Sequence, residues 1–577
     1  MTMLTKWGAA LDREHPLPEY PRPQLRRESF YNLNGVWDYA VTPSGDEPEV
    51  WDGEIVVPFS PEAPLSGAAR GPAKDEYLHY RRGFTLPEGF QKSRVLLHFG
   101  AVDQIAEVFI NGVSAAKHSG GYWPFSADIT SLLREGENIL RVTVRDNADD
   151  PTFAYGKQRY KRGGMWYTAQ SGIWQTVWLE SVPEVYVKSL RITPEFDEAR
   201  VRIELETALE SSAAITCDVR AADGSFVAGS WARGGVCVVP LPGFRAWTPD
   251  DPYLYTLDIT CGEDRVESYF AMRKFSYVEL DGHKVFGLNN APLFHNGLLD
   301  QGYYPDGLLT PPSDEAMVND IETMKRCGFN MLRKHIKIEP LRWYYHCDRL
   351  GMIVWQDMVS GGQPYSFLHV SALPTLGKVD LPDQDAKPYG RSGVLSRARF
   401  RREMADTVRL LYNCPCIALW TVFNEGWGQF DALDMANELK KLDPTRFIDH
   451  ASGWQDQGYE EMKSRHIYFR PVKLKNDGRA LALTEYGGYI LAVDGHRWTD
   501  KVFGYRICRN SAALAHDYEK LMLGQVLPHI RKEGLTAAVY TQITDVEEEL
   551  NGLMTYDREV LKIPEEALRE INKQLKF

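Results

Sequence analysis

The chain reads as a multidomain β plus α/β protein: an N-terminal jelly-roll β-sandwich, an immunoglobulin-like β-sandwich and a C-terminal (β/α)8 TIM barrel. Three observations predict this. At 577 residues the chain is too long for one hydrophobic core. Its first half alternates apolar and polar residues in short runs between turn signals, with little helical periodicity. From residue 276 onward short apolar runs alternate with helical segments, the pattern of βα units. The boundaries fall at 1–183, 184–275 and 276–577.

In the first unit, SRVLLHFG, IAEVFINGV and NILRVTVRDN read as strands, and Asn111-Gly112 as a tight hairpin turn. The unit ends near SGIWQTVWLESVP. The second has closer-spaced strands in VYVKSLRITPEF, ARVRIELETAL, AAITCDVRAADG and YLYTLDIT, which suit a small immunoglobulin-like sandwich without its Cys…Trp…Cys hallmark. In the third, eight candidate strands lie at VFGLNN, FNMLRKHI, GMIVWQD, CIALWTVFNE, RFIDHAS, HIYF, ALALTEYGG and TAAVYTQITD. SDEAMVNDIETMKRCG, with Ser313 as N-cap, and RARFRREMADTVRLLYNC are helices between them.

Composition narrows the partners. A net charge of −13 with no basic block argues against nucleic acid. The start, MTMLTKWGAALDREHPLPEYPRPQLRRE, has no apolar core of a signal peptide, and nothing is long and apolar enough to span a bilayer, so no membrane partner is expected. Eight scattered cysteines lack metal-ligand spacing, and the CPC at 414–416 reads as core; reduced thiols in a cytoplasmic protein are the simplest reading. Aromatics make up 12%, with 15 Trp; many of them must be core, but an excess of Trp and Tyr also suits stacking on sugar rings.

In a barrel of this kind, polar residues at the C-terminal strand ends face one mouth. Here those ends carry Arg333 and His335, Gln356 and Asp357, Asn424 and Glu425, Tyr468, Glu485, Gln542 and Asp545. Glu425 and Glu485 each directly follow an apolar run, where an unpaired carboxylate costs several kcal/mol or takes up a proton. Two such acids flanking a scissile bond are what glycoside hydrolysis needs. Strands four and seven lie roughly across the barrel, which can place the acids on either side of a sugar.

These residues carry a resemblance. YRRGFTL, VFINGV, SGGYWPFSADIT and SGIWQTVWLE, then FNE and TEYGG in the barrel, are similar to the motifs of glycoside hydrolase family 2, the group of β-galactosidases, β-glucuronidases and β-mannosidases, and nearly the whole chain takes part. The resemblance implies that Glu425 is the general acid/base and Glu485 the nucleophile. It implies that Asn424 bonds the sugar 2-hydroxyl, and that His335 and Arg333 lie near the reacting carbon. Arg333 would also hold Glu485 ionised, and Tyr468 would bond the nucleophile or serve only in packing. Asp357 is open between lining the pocket and capping the next loop. Trp166 and Tyr167 are open between a sugar platform and interdomain packing. No organic cofactor is implied and no metal-ligand cluster is visible, although some relatives use Mg²⁺ or Na⁺. Family members often form dimers or tetramers, so a homo-oligomer is possible.

The departures lie in the sugar pocket. Where family glucuronidases grip a carboxylate with Asn-x-Lys, EEELNGLMTYDR offers Glu549 and Asn551, which disfavours a uronate. The loop that holds an Asp in large bacterial galactosidases has Gly164 and a different length. VWQD looks more like mannosidase relatives, RKHIKIEP does not, and VYTQITDVE lacks a Trp floor. The expectation is an exo-acting, retaining β-glycosidase of a neutral sugar, β-galactosidase first, with β-glucuronidase or β-mannosidase specificity as alternatives. A non-catalytic carbohydrate-binding protein is the rival of another class, and a scaffold of sandwich domains a third. Alanine at Glu485 separates the first two, because a binding module has no turnover to lose.

Overall fold

The computed structural model describes residues 3–209, 214–376 and 380–577. Ala213, at the head of one expected strand, and Met1 and Thr2 of the expected N-terminal stretch lie outside them.

The first domain is two antiparallel sheets face to face. One has six strands, in the order Gly53–Val57, Gly35–Thr42, Tyr77–Phe84, Asn138–Arg145, Ile105–Ile110 and Val113–Ser119. The other has four: Phe30–Asn32, Val177–Val182, Arg94–Phe99 and Phe125–Asp128. Alternate residues such as Leu140, Val142 and Val144 enter a shared core with Trp37, Leu97 and Leu179. The expected turn at Asn111-Gly112 joins two of these strands, both residues with positive φ (50° and 83°), the backbone that a two-residue hairpin matched to strand twist requires.

The second domain packs a three-stranded sheet (Val187–Glu195, Arg200–Thr207, Val236–Pro240) on a four-stranded one (Phe226–Ala232, Ile215–Arg220, Tyr255–Cys261, Asp264–Phe270). Cys217, Cys237 and Cys261 are buried thiols in its core. Arg27 ties the two sandwiches together: it donates to both oxygens of Asp264 (2.9 and 2.8 Å) and to Glu180 (3.0 Å).

The third domain is a parallel barrel. Its strands in chain order are His295–Asp300, Met331–Lys334, Ile353–Asp357, Ile417–Thr421, Phe447–Asp449, Met462–Ile467, Ala480–Gly487 and Leu535–Thr541. Strand one pairs with strand eight, Gly297 opposite Val539. The ladder is interrupted only between strands five and six, where the Ser464 hydroxyl lies 3.0 Å from both Asp449 Oδ1 and the Ala451 carbonyl. Helix Asp314–Arg326 starts as expected, Ser313 Oγ accepting from the Ala316 amide (3.2 Å), with acidic residues in its first turn and basic ones in its last, which suits the helix dipole.

One expected strand is misplaced. VFGLNN is not the first barrel strand; His295–Asp300 is. Val285 and Phe286 belong to the hairpin Phe275–Leu280/His283–Leu288, which plugs the barrel floor. Phe286 stacks on Phe447 of strand five (4.3 Å, 20°) and meets Trp355 of strand three edge-on (5.9 Å, 79°). A floor plug is as apolar as a barrel strand, so local pattern cannot separate them. The true first strand, HNGLLD, carries buried polar His295 and Asn296, and Trp355 Nε1 donates to His295 Nδ1 (3.0 Å). Among the described residues no helix is long and apolar enough to cross a membrane.

Candidate active site

The apolar run of strand four ends at Thr421, and the chain then turns through Asn424 and Glu425 at the barrel mouth. Glu425 has φ +54°, a backbone that non-glycine residues rarely adopt. Three hydrogen bonds hold it: its amide donates to the Ser452 carbonyl (2.9 Å), the Trp454 indole donates to its carbonyl (2.9 Å), and the Trp427 amide closes the turn on Asn424 (3.0 Å). A strained turn fixed on three sides aims the carboxylate into the mouth.

Glu485 arrives from strand seven, three positions round the ring. Its Oε1 accepts from Arg333 (3.1 Å) and its Oε2 from the Tyr468 hydroxyl (2.5 Å). His466 stands between the acids, its Nδ1 2.8 Å from Glu425 Oε1 and 3.6 Å from Glu485 Oε2. One donor atom of each of the three lies within 4.8 Å of the other two. Two carboxylates and an imidazole can hold a divalent ion, and among the described residues this is the one such trio; an ion there would occupy both acids.

Environment splits the two carboxyls. Burial pushes Glu425 up to about 7, against the opposing charges of Lys157 and Arg333. Burial, with the Glu425 charge, also leaves Glu485 raised above its ordinary value, and His466, Arg333 and the Tyr468 hydroxyl offset only part of that rise. Burial drives the His466 imidazole down to about 4 and that of His335 to about 3, so both are neutral near pH 7.

The expected residues divide by depth. Glu425, Glu485, Asn424, His335, Tyr468 and Trp166 line one pocket at the barrel mouth. Arg333 and Asp357, wholly buried, lie beneath it instead. There they form a bidentate pair (2.9 and 3.1 Å), and Asp357 also meets His335 Nδ1 at 2.8 Å. Burial opposes the Asp357 charge, but Arg333 and His335 outweigh it and hold the carboxyl at about 2. Arg333 further donates to the Asn424 side-chain oxygen (2.8 Å), which leaves the Asn424 amide for the pocket. One guanidinium thus orients both Glu485 and Asn424.

The first domain supplies a wall. Its Ala154 pairs with Gly361 beyond strand three, the Tyr155 hydroxyl donates to the Gly362 carbonyl (2.7 Å), and the Thr168 amide donates to Glu547 (2.8 Å). This clamp carries Lys157, Met165 and Trp166 into the pocket, Trp166 packed edge-on against Trp427 (5.0 Å, 85°). Tyr167 turns inward, packing on Tyr303, and its hydroxyl bonds the Glu549 carboxylate. Of the other strand-end residues, Gln356 accepts from the Tyr344 hydroxyl, Asp545 pairs with Lys562, and Gln542 bonds Gln301 and Asn551, all outside the pocket wall.

Sequence reasoning missed His466, Lys157, Tyr505 and Trp427. His466 was within reach: in a strand it shares a face with Tyr468, two residues on. Lys157 had no local signal, because another domain delivers it.

Comparison with known proteins agrees with this architecture. Residues 64–183 match the sugar binding domain of glycosyl hydrolases family 2, residues 185–273 that family's middle domain, and residues 312–476 its TIM barrel domain. The β-galactosidase of Thermoanaerobacter pseudethanolicus is 24% identical over 64% of this chain and 47% of its own length. The human β-glucuronidase is 22% identical over 78% of this chain and 73% of its own. The chain spans about half the length, or less, of the first curated relatives it matches. In fold it is similar to the β-D-glucuronidase of Dictyoglomus thermophilum (TM-score 0.73, 18% identity, 96% of this chain and 98% of that one). It is also similar to a β-galacturonidase from Eisenbergiella tayi (TM-score 0.70, 18% identity, 96% and 98%). With all three domain types in order, the chain belongs to glycoside hydrolase family 2.

Proposed function

We propose that the protein is an exo-acting, retaining β-glycosidase that works through a covalent glycosyl-enzyme. The observation that carries this is a pair of carboxylates with oxygens within 4.8 Å, in one pocket, in unlike surroundings. Retaining enzymes hold their acids about 5–5.5 Å apart, whereas inverting ones need about 6.5–9.5 Å to admit water.

Glu485, ionised on Arg333 and Tyr468, attacks the anomeric carbon as the C–O bond to the leaving group breaks. Glu425, kept protonated to about pH 7, gives its proton to the departing oxygen. It then takes a proton from water, which displaces Glu485. The Asn424 amide, freed by Arg333, donates to the sugar beside the nucleophile. Glu549 in the pocket wall supports a neutral sugar, with β-galactoside the first substrate to assay. Lys157 favours a second reading, an acidic glycone: it lines the same pocket and makes no ion pair among the described residues. The eight buried free thiols support a reducing, cytoplasmic compartment.

The test is a panel of chromogenic β-galactoside, glucoside, mannoside, glucuronide, galacturonide and arabinoside, with the anomer of the first-formed product read by NMR. The expected result is turnover of a neutral glycoside with β product first. An α product from a β substrate would sink the mechanism, and turnover of uronides alone would replace the neutral reading by the acidic one.

A further inference from the structure

The two sheets of the second domain close on each other where the chain crosses between them. Strand Phe226–Ala232 ends the four-stranded sheet, strand Val236–Pro240 ends the three-stranded one, and Arg233, Gly234 and Gly235 join them. Both glycines have positive φ (82° and 37°), which lets so short a link turn. Facing sheets usually lie about 10 Å apart. Here Cα atoms of Ile215–Arg220 and Val236–Pro240, strands of opposite sheets, come within 8 Å. Cys217 and Cys237 both point inward at this pinch, 0% and 1% exposed. We propose that they are a latent cross-link, which a hydroperoxide joins as a disulfide between the sheets, locking the open edge of the sandwich.

Ser230 helps to place the pair. It stands opposite Cys217 in the ladder, and its hydroxyl bonds the Cys237 sulfur. The Cys217 thiol bonds that same sulfur. Cys217 thereby draws the Cys237 thiol down to about 7; burial opposes this and Ser230 assists. The same contact, with burial, pushes Cys217 up. Cys261, the third thiol of this core, lies opposite Ile215, and burial and the Asp264 charge raise it. One cysteine is thus inclined to the thiolate with a second thiol beside it, the arrangement of a nucleophile and its resolving partner. Access comes from the edges. The strands flanking the pair each end a sheet, and Phe226, Val227, Trp231 and Val236 on them are exposed. Edge strands held on one side open locally at low cost, enough to admit a molecule as small as peroxide.

The step balances with one peroxide. The Cys237 thiolate attacks a peroxide oxygen, the O–O bond breaks, and the leaving hydroxide takes up the proton that Cys237 gave away; the sulfur is now a sulfenic acid. The Cys217 sulfur attacks it, the S–S bond forms, the S–O bond breaks, and the second hydroxide leaves with the Cys217 proton. Two thiols lose two electrons, the peroxide gains them, and two waters form.

The full-length folded protein is treated with hydrogen peroxide. The remaining thiols are alkylated after denaturation and counted, and an unreduced digest is mapped by mass spectrometry. Free thiols are expected to fall from eight to six, two per bond, with the Cys217 and Cys237 peptides joined and released by dithiothreitol. Cys261→Ser should still form the link. In Cys217→Ser, Cys237 should stop at a sulfenic acid that dimedone traps. A link between any other pair, or eight thiols after treatment, overturns the proposal. So does Cys237 oxidised alone in the wild type, since the two thiols then do not meet. The wild-type map decides by itself should a variant fail to fold. The bond closes a loop of about 20 residues, so limited proteolysis within the second domain should slow roughly tenfold on oxidation. Equal cleavage rates overturn the locking role. Glycoside turnover enters none of these readings.

Discussion

Replacing Glu425 by Gln removes one ionisable proton and little else, so its consequences can be worked from the structure. Burial moves this carboxyl from an ordinary 4.5 to about 7, with its side chain 22% exposed. A folded-state pKa raised above the unfolded one means that the folded protein prefers the protonated acid. That stability is fully present below pH 4.5 and is lost as pH rises through about 7. Once the acid is ionised the penalty is about 3 kcal/mol. Glu425→Gln, neutral at every pH, should therefore unfold at a temperature higher by a few degrees at pH 8 and match the wild type at pH 4. Activity should move the opposite way. The alkaline limb near pH 7 should vanish, and kcat/KM on a poor leaving group should fall about 10²- to 10⁴-fold, the usual worth of a general acid. Differential scanning calorimetry and a pH-rate profile read the two effects. A variant that keeps an alkaline limb near pH 7, or gains no stability at pH 8, would refute the assignment of this proton to Glu425.

The remaining tests address the groups around it. Tyr468→Phe removes the 2.5 Å bond that favours ionised Glu485, so the acid limb of kcat/KM should move to higher pH and kcat should fall about tenfold or more; unchanged limbs in the pH profile would count against the contact. Lys157→Met removes a charge that opposes the upward push on Glu425, so the alkaline limb should also move to higher pH, with the largest KM change on any acidic glycoside. Asp357→Asn breaks the bidentate hold on Arg333 and leaves a buried guanidinium short of charge; a stability loss of about 3–5 kcal/mol is expected in denaturant titration, together with lost turnover.

Much of the site was legible in the chain because strands impose order. An acid that ends an apolar run near the C-terminal end of a barrel strand faces the mouth, so Glu425 and Glu485 could be singled out from their apolar neighbours alone. Tyr468 followed from the same rule, and His466 would have, had the two-residue strand period been applied backwards. Depth was not legible: Arg333 and Asp357 end strands as Asn424 does, yet they lie under the pocket floor. Nothing in a strand end says whether its side chain meets substrate or a neighbouring carboxylate. The floor hairpin deceived for a similar reason, since burial on all sides looks the same from within the chain whether the neighbours are barrel strands or the plug beneath them.

By itself the sequence determined the three-domain plan, the alternation that closes the barrel, and the two acids placed at its rim. These depend on periodicity and on the cost of burying charge, which local residues carry. Only the tertiary structure decided that the two acids share one imidazole, that one arginine orients both Glu485 and Asn424, and that Lys157 and Trp166 wall the pocket from another domain. Those contacts join residues well separated in the chain, 41 positions for His466 and Glu425, and 91 and 152 for Arg333 with Asn424 and Glu485. Distances in space, and the electrostatics that depend on them, exist only once the chain has folded.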